Sequence, residues 1–213
     1  MPPKLYLFHG SPGVRAVMIT AKALDIRLEH HELDYTKGDH LGPEFIKLNP
    51  QHTAPTLDDK GIVIWDSHAI IAYLVGKYAK NDTLYPKDLY RRALIDQRLH
   101  FDSGILYPLL RTIDLAFLKK EITEVPPRLV EEVKSAYDFL EKFLEARHWA
   151  TGDSVTIADF SLVPTVTSLD YHVKLDQKAH LHVIAWIKRA QSLPCFVGDQ
   201  QELKHFKSYF ENL

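Results

Sequence analysis

Ser11 stands in the run His9-Gly10-Ser11-Pro12-Gly13, turn chemistry between a short strand pattern and a helical one. A hydroxyl in that position meets helix N–H groups that the helix itself leaves unpaired. Two roles fit it: an N-cap, or a hydrogen-bond donor at the mouth of a binding site. No G-x-S-x-G elbow and no acid–base partner at a fixed spacing accompany it, which argues against a hydrolase nucleophile. Tyr6 is the rival hydroxyl, read here as a strand residue in the core. A second constellation lies in Asn49 to Val75, NPQHTAPTLDDKGIVIWDSHAIIAYLV. Pro55 belongs at a strand start, because proline cannot donate to a central ladder. The Ala54–Pro55 bond is one where cis is accessible, and a cis form would turn the Ala54 backbone groups outward toward an extended peptide. Asp66-Ser67 then opens a helix whose free N–H groups attract carboxylates. Together these groups read as a docking site for a small peptide with free charged ends.

Further candidates lie in the second half. Ser103, Tyr107, Leu110, Arg111, Asp114 and Leu118 recur at helical spacing. Most such stripes are core, but Arg111 and Asp114 fit poorly into a wholly dry one. Phe206 and Phe210 form an i,i+4 pair on the last helical segment, either packing in the core or roofing a pocket. Among twelve histidines, His30-His31 and His180-x-His182 invite a metal reading. No cysteine or acidic pattern at zinc spacing supports it, so no metal is expected.

The elements that must position these groups follow from periodicity. Lys4 to Phe8 reads as a first strand, Val14 onward as a helix, and Arg27 to Asp34 as a second strand. A short helix near Pro43 to Leu48 leads to a strand pair turned at Asp59-Lys60-Gly61, then to a helix from Ser67 to about Tyr78. The order βαβαββα matches a thioredoxin-like domain over residues 1–79, with a linker at 80–88 and an all-α domain over 89–213. In the latter, Tyr90 to about Lys119 reads as one long helix, and Pro126-Pro127 opens another to about Ala146. Thr156 and Asp159 form a capping box, with Val155 and Phe160 as its hydrophobic staple. Pro164 should kink the helix that follows or remove one of its backbone bonds. Helices near His182–Ser192 and Gln200–Phe210 complete the domain.

Composition sets outer bounds. A net charge of −2 argues against an electrostatic nucleic-acid binder. The longest clearly apolar run, Ala69 to Val75, is far below the ~20 residues of a membrane helix, and the amino terminus lacks a secretory core. Cys195 is the only cysteine, so no internal disulfide forms and a reducing, cytoplasmic setting is expected.

The runs HLGPEFIKLNPQHTAPTL and WDSHAIIAYLVGKYA resemble the glutathione-binding half of the cytosolic glutathione S-transferases, most closely the insect epsilon class. TIADFSLV at 156–163 resembles the family's second-domain signature. The likeness spans essentially the whole chain. It implies that Ser11 donates a hydrogen bond to the sulfur of glutathione, whereas other classes use a tyrosine near Tyr6. It places His40 and His52 at the glycine end of glutathione, and Thr53, Ala54 and Pro55 along its backbone. Asp66 and Ser67 match the pair that holds the γ-glutamyl end, followed by His68 where delta-class relatives carry arginine. Gly13 stands where the family commonly has proline, and Ala54 where it has Val or Ile. The resemblance sets Tyr107, Leu110 and Arg111 beside the second substrate; Asp114 and Leu118 share their stripe, and Phe206 and Phe210 are the candidate roof of the same pocket or core residues. It implies an enzyme that adds glutathione to small hydrophobic electrophiles, with glutathione as co-substrate and no metal, working as a homodimer. Dehydrohalogenation or peroxide reduction are variants within the family. A non-catalytic glutathione-dependent carrier of hydrophobic ligands is the alternative. A thiol–disulfide oxidoreductase would need a cysteine where Ser11 stands.

Overall fold

A computed structural model describes residues 2–211. Strand β1 (Lys4–Leu7) leads to helix α1 (Pro12–Ala23), β2 (Glu29–Glu32), α2 (Pro43–Leu48), β3 (Thr56–Asp59), β4 (Ile62–Trp65) and α3 (Ser67–Tyr78). The four strands form one sheet in the order β2-β1-β3-β4. β2 runs parallel to β1, and the two other pairings are antiparallel. The period of two along β1 decides which face holds what. Leu5 and Leu7 are buried in the cluster that contains Val14 and Val17 of α1 and Ile70, Ile71 and Leu74 of α3. Tyr6 points the other way, where its ring lies 5.5 Å from Phe45 of α2 and 4.8 Å from His31. It is half-buried on the outer face and not a core residue. The two-residue turn at Lys60-Gly61 takes φ values of 59° and 89°, the positive pair that matches the twist of a hairpin.

β2 is four residues of Glu and His, all exposed, shorter than the segment from Arg27 to Asp34 that the sequence suggests. The apolar residues that mark the segment, Leu28 and Leu33, lie outside the four residues that pair with β1.

The helical half comprises α4 (Leu89–Phe101), α5 (Tyr107–Leu118), α6 (Pro127–Leu144), α7 (Ile157–His172), α8 (Leu181–Gln191) and α9 (Asp199–Ser208). The expected single helix from Tyr90 to Lys119 is interrupted by a π turn at Asp102–Leu106. A π turn inserts one extra residue into the helical repeat and rotates all that follows. α7 is the central helix: every residue from Ile157 to Leu169 is buried, as fits a helix apolar nearly all round. It runs from Ile157 to His172 through Pro164, with that residue's missing N–H as the cost. At its start the Thr156 N–H donates to Asp159 Oδ2 at 2.8 Å. The other oxygen of Asp159 accepts from the Ala150 N–H and the Trp186 indole N–H, both at 2.9 Å. The capping carboxylate is therefore also a hub joining α7, α8 and the loop before them.

The two halves share one core. Arg15 of α1 is 1% exposed and reaches into the helical half. It forms a two-bond pair with Asp199 of α9, at 2.8 and 2.9 Å. Its remaining N–H groups donate to Thr167 Oγ1, Ser168 Oγ and the Pro164 carbonyl of α7.

Candidate active site

Ser11 is the residue before α1, and Pro12 fills the first helical position, where a missing N–H costs nothing. The Ser11 carbonyl accepts from the Arg15 N–H at 2.9 Å, but its hydroxyl makes no capping hydrogen bond. The capping role is thus carried by backbone alone and the side chain is uncommitted. The preceding Gly10 has φ of 81°, and a Cβ there would sit 2.5 Å from the backbone nitrogen of Phe206. Both conformation and space demand glycine, so the turn that presents Ser11 lies directly against α9. α9 is also bonded to this turn: Glu202 accepts from the Gly10 N–H at 2.9 Å and from His9 Nδ1 at 2.9 Å.

Ser11, Gly13, Gln51, Thr53, Ala54, Pro55, Asp66, Ser67, His68 and Tyr107 surround one cleft of about 190 Å³ between the two halves. The Ala54–Pro55 peptide is cis. Its loop is held by Asn49, which is fully buried. The Asn49 amide donates to the Thr53 carbonyl at 3.0 Å and to Thr56 Oγ1 at 2.8 Å, while its oxygen accepts from the Gln51 N–H at 2.9 Å. One side chain thereby fixes the shape of residues 49–56. Gly13 packs closely here: a Cβ on it would come within 3.2 Å of both Pro55 and Ser67, which would have to give by a few tenths of an ångström.

Asp66 has a φ of 71°, a backbone region that strains a non-glycine residue and clusters at functional sites. Its Oδ1 caps α3 by accepting from the N–H groups of His68 and Ala69, at 2.9 and 3.2 Å. The carboxylate is exposed to the cleft side all the same. His68 turns inward. Its Nε2 lies 2.7 Å from Ser161 Oγ, which donates to Asp102 Oδ2 at 2.6 Å. Since the serine proton goes to Asp102, the histidine is the donor to the serine oxygen. Asp102 is 3% exposed and lines the cleft, and its Oδ1 is buried with no hydrogen-bond partner among the described residues. Asp102 and Ser161 were not legible as site residues, because the π turn and α7 bring them to the cleft from distant positions.

His40 and His52 do not line this cleft. His40 stacks on Tyr35 at 4.0 Å and 10°, and His52, exposed, lies 6.1 Å from it. They form a separate aromatic ledge next to Thr53.

The stripe on α5 divides. Tyr107 lines the cleft, and burial pushes its hydroxyl above the ordinary tyrosine range. Leu110 has no exposed surface and belongs to the core with Leu106 and Ile113. It therefore offers no wall to a substrate, which corrects what the resemblance implies and agrees with the core reading of the stripe. The reason is angular: at about 100° per residue, position 110 falls ~60° from Tyr107 on the side of the core. Arg111 and Leu118 are exposed. Asp114 accepts from or shares a proton with His172 Nε2 at 2.8 Å; burial raises its carboxyl, and the histidine opposes that rise. Phe206 is 4% exposed and packs 5.1 Å from half-buried Phe210. Both rings join Tyr171 and His172 in an aromatic cluster, so Phe206 is core and Phe210 its edge.

Cys195 lies half-buried in the turn after α8, with its thiol pushed up by burial. The start of α1, where a thiol–disulfide exchanger needs its cysteine, is Ser11.

A thioredoxin-like half with a cis-proline loop, joined through a shared cleft to an all-helical half, defines the general class. Residues 5–82 match the glutathione S-transferase N-terminal domain and residues 124–189 the glutathione S-transferase C-terminal domain. Glutathione S-transferase 1 of Manduca sexta is 43% identical over 195 residues, 90% of this chain and 89% of its own. Among solved structures, an epsilon-class glutathione S-transferase of Musca domestica superposes with a TM-score of 0.91 at 43% identity, covering 97% of this chain and 98% of that one. A glutathione transferase homologue of Drosophila mojavensis, solved with bound glutathione, gives 0.95 at 39% identity over 99% and 97%. The chain belongs to the glutathione S-transferase family, within the delta/epsilon group of insects.

Proposed function

We propose that this protein binds glutathione in the cleft beside Ser11 and adds its thiolate to small hydrophobic electrophiles. The observation that carries the proposal is the Ser11 hydroxyl: it faces the cleft and has no capping bond to make. A free thiol titrates near ~8.5 and is only about 3% thiolate at pH 7. A hydrogen bond to a charged acceptor contributes roughly 1.5–3 kcal/mol, which lowers the thiol pKa by ~1–2 units. The thiolate fraction then rises to roughly a quarter to three quarters. The N–H groups at the start of α1 add to the same effect.

At the other end of the peptide, Asp66 offers its carboxylate to the γ-glutamyl amine, with the buried charge of Asp102 behind it, and Ser67 offers a hydroxyl to the peptide's carboxylate. Thr53, Ala54 and Pro55 lie along the middle, and His40 and His52 sit beyond Thr53 toward the glycine end. Residues 1–79 supply glutathione binding and residues 89–213 the second-substrate side, joined by 80–88. Tyr107 faces that side in the cleft, with Arg111 on the next turn. A cytosolic homodimer is the assembly the resemblance implies, and sedimentation at micromolar protein tests it.

Ultraviolet titration of bound glutathione tests the sulfur assignment. Ser11→Ala is expected to raise the thiol pKa by ~1–2 units and to lower turnover, with glutathione affinity nearly intact. An unchanged pKa in Ser11→Ala, with loss of thiolate in Tyr6→Phe, would move the role to Tyr6. A substrate panel run with and without glutathione separates transfer, dehydrohalogenation and peroxide reduction from mere ligand carriage.

A further inference from the structure

His9, Glu202 and His205 meet where the end of β1 touches α9. We propose that they form a binding site for a single divalent transition ion, with Zn²⁺ the natural occupant, which fastens α9 to the turn presenting Ser11. The three offer ligand atoms that all lie within 4.8 Å of one another. Zinc bonds to nitrogen and carboxylate oxygen are ~2.0–2.2 Å, so the atoms around a tetrahedral ion stand about 3.4 Å apart. Side-chain rotations close the remaining gap, because His9 Nδ1 already lies 2.9 Å from Glu202 Oε1.

The arrangement is held before any ion arrives. Glu202 and His205 are three residues apart on one helix and so share a face. Glu202 Oε2 is fixed by the Gly10 N–H at 2.9 Å. His9 Nε2 lies 3.1 Å from a Glu32 carboxylate oxygen. Nε2 donates to that carboxylate, and an ion would displace the proton that Nδ1 now gives to Glu202, leaving the Nε2–carboxylate contact as the outer pairing that orients a ligating imidazole. The His9 and His205 rings are already 5.2 Å apart. Two imidazoles and one carboxylate favour zinc-like ions, whereas magnesium and calcium prefer oxygen alone. The ligands were invisible to a search for zinc spacing, since 193 residues separate His9 from Glu202.

The position gives the site a consequence. Gly10 is in backbone contact with Phe206, so an ion joining residue 9 to residues 202 and 205 ties the Ser11 turn to the helix that packs on it.

Binding is measured by calorimetry with ZnCl₂ on untagged protein in chelator-free buffer near neutral pH, without glutathione. The result therefore does not depend on the transferase reading. One ion per chain is expected, together with a rise in melting temperature and, with Co²⁺ in its place, the visible absorption of a low-coordinate nitrogen–oxygen site. His205→Ala removes one ligand and leaves the Glu202 bonds to Gly10 and His9 intact. It is expected to weaken zinc at least tenfold and to abolish the melting shift, while the metal-free protein melts as wild type. His30→Gln with His31→Gln is expected to bind zinc as wild type does. No binding by the wild type at 100-fold excess of zinc, unchanged affinity in His205→Ala, or loss of binding in the His30/His31 variant overturns the proposal.

Discussion

Asp66 carries two demands on one carboxylate. Its Oδ1 caps α3, while its strained backbone turns the group toward the cleft. Asp66→Asn keeps an oxygen for the cap and removes only the charge. It is expected to weaken glutathione binding about tenfold, since the ammonium keeps an acceptor but loses its counter-charge, and to leave the melting temperature nearly unchanged. Calorimetry with glutathione and a thermal scan check the two halves; equal affinity in both proteins would rule the assignment out. At this scale the sequence was informative where the chemistry is local. Ser11, Pro55 and Asp66-Ser67 stand out because turn, proline and cap signals each need only a few neighbours. Asp102 and Ser161 did not stand out, because an isolated Asp and Ser on helices signal nothing until folding buries one beside the other. Asn49 shows the same limit: its role is to hold a loop whose shape is a tertiary fact.

The elements were legible as types more than as surfaces. The helix pattern located α6 and the capped start of α7 but read α4 and α5 as one helix, and the resemblance placed Leu110 at the pocket where the packing puts it in the core. The five stripe residues on α5 fall within about 100° of arc, one helix face, and only the packing partner shows which edge of that face is covered. Leu110→Ala is therefore expected to cost ~2–5 kcal/mol of stability through a buried cavity, lowering all activities in parallel. Tyr107→Ala, at the cleft, should instead raise KM for the electrophile with little loss of stability. Urea unfolding and steady-state kinetics distinguish the two; a selective KM change in Leu110→Ala would return it to the pocket wall. The capping box was read correctly from Thr156 and Asp159, yet its weight was not. A cap alone contributes ~1 kcal/mol, whereas Asp159 also satisfies Ala150 and Trp186 in a fully buried site. Asp159→Ala leaves those donors unpaired at ~1–3 kcal/mol each, and is expected to destabilise far more than Thr156→Ala. Comparable losses in the two variants, measured by urea unfolding, would reduce Asp159 to a simple cap.

Across the whole molecule, the order of a strand-and-helix half followed by an all-helical half was readable from periodicity, but the strength of the joint was not. A single arginine on an amphipathic helix looks like a surface residue. Arg15 instead crosses between halves with its guanidinium N–H groups bonded to Asp199, Thr167, Ser168 and the Pro164 carbonyl. The planar fork of arginine matches a carboxylate in two parallel bonds, and a lysine cannot reproduce that set. The joint also explains why α9, the last element of the chain, can hold the Ser11 turn of the first domain: Asp199 anchors its start and Glu202 its next turn. Removing one partner of a buried pair leaves the other charge uncompensated, which typically costs ~3–5 kcal/mol. Arg15→Met is therefore expected to lower the melting temperature of the entire protein, Asp199→Asn by less because an oxygen acceptor remains. Calorimetry should record one transition for the wild type, as a core shared by both halves requires. In Arg15→Met the transition should move down as a unit or split, with the Ser11-dependent thiolate signal lost at the lower step. If Arg15→Met melted as wild type, the pair would be no more than a filled space and the helical half would hold the Ser11 turn by packing alone.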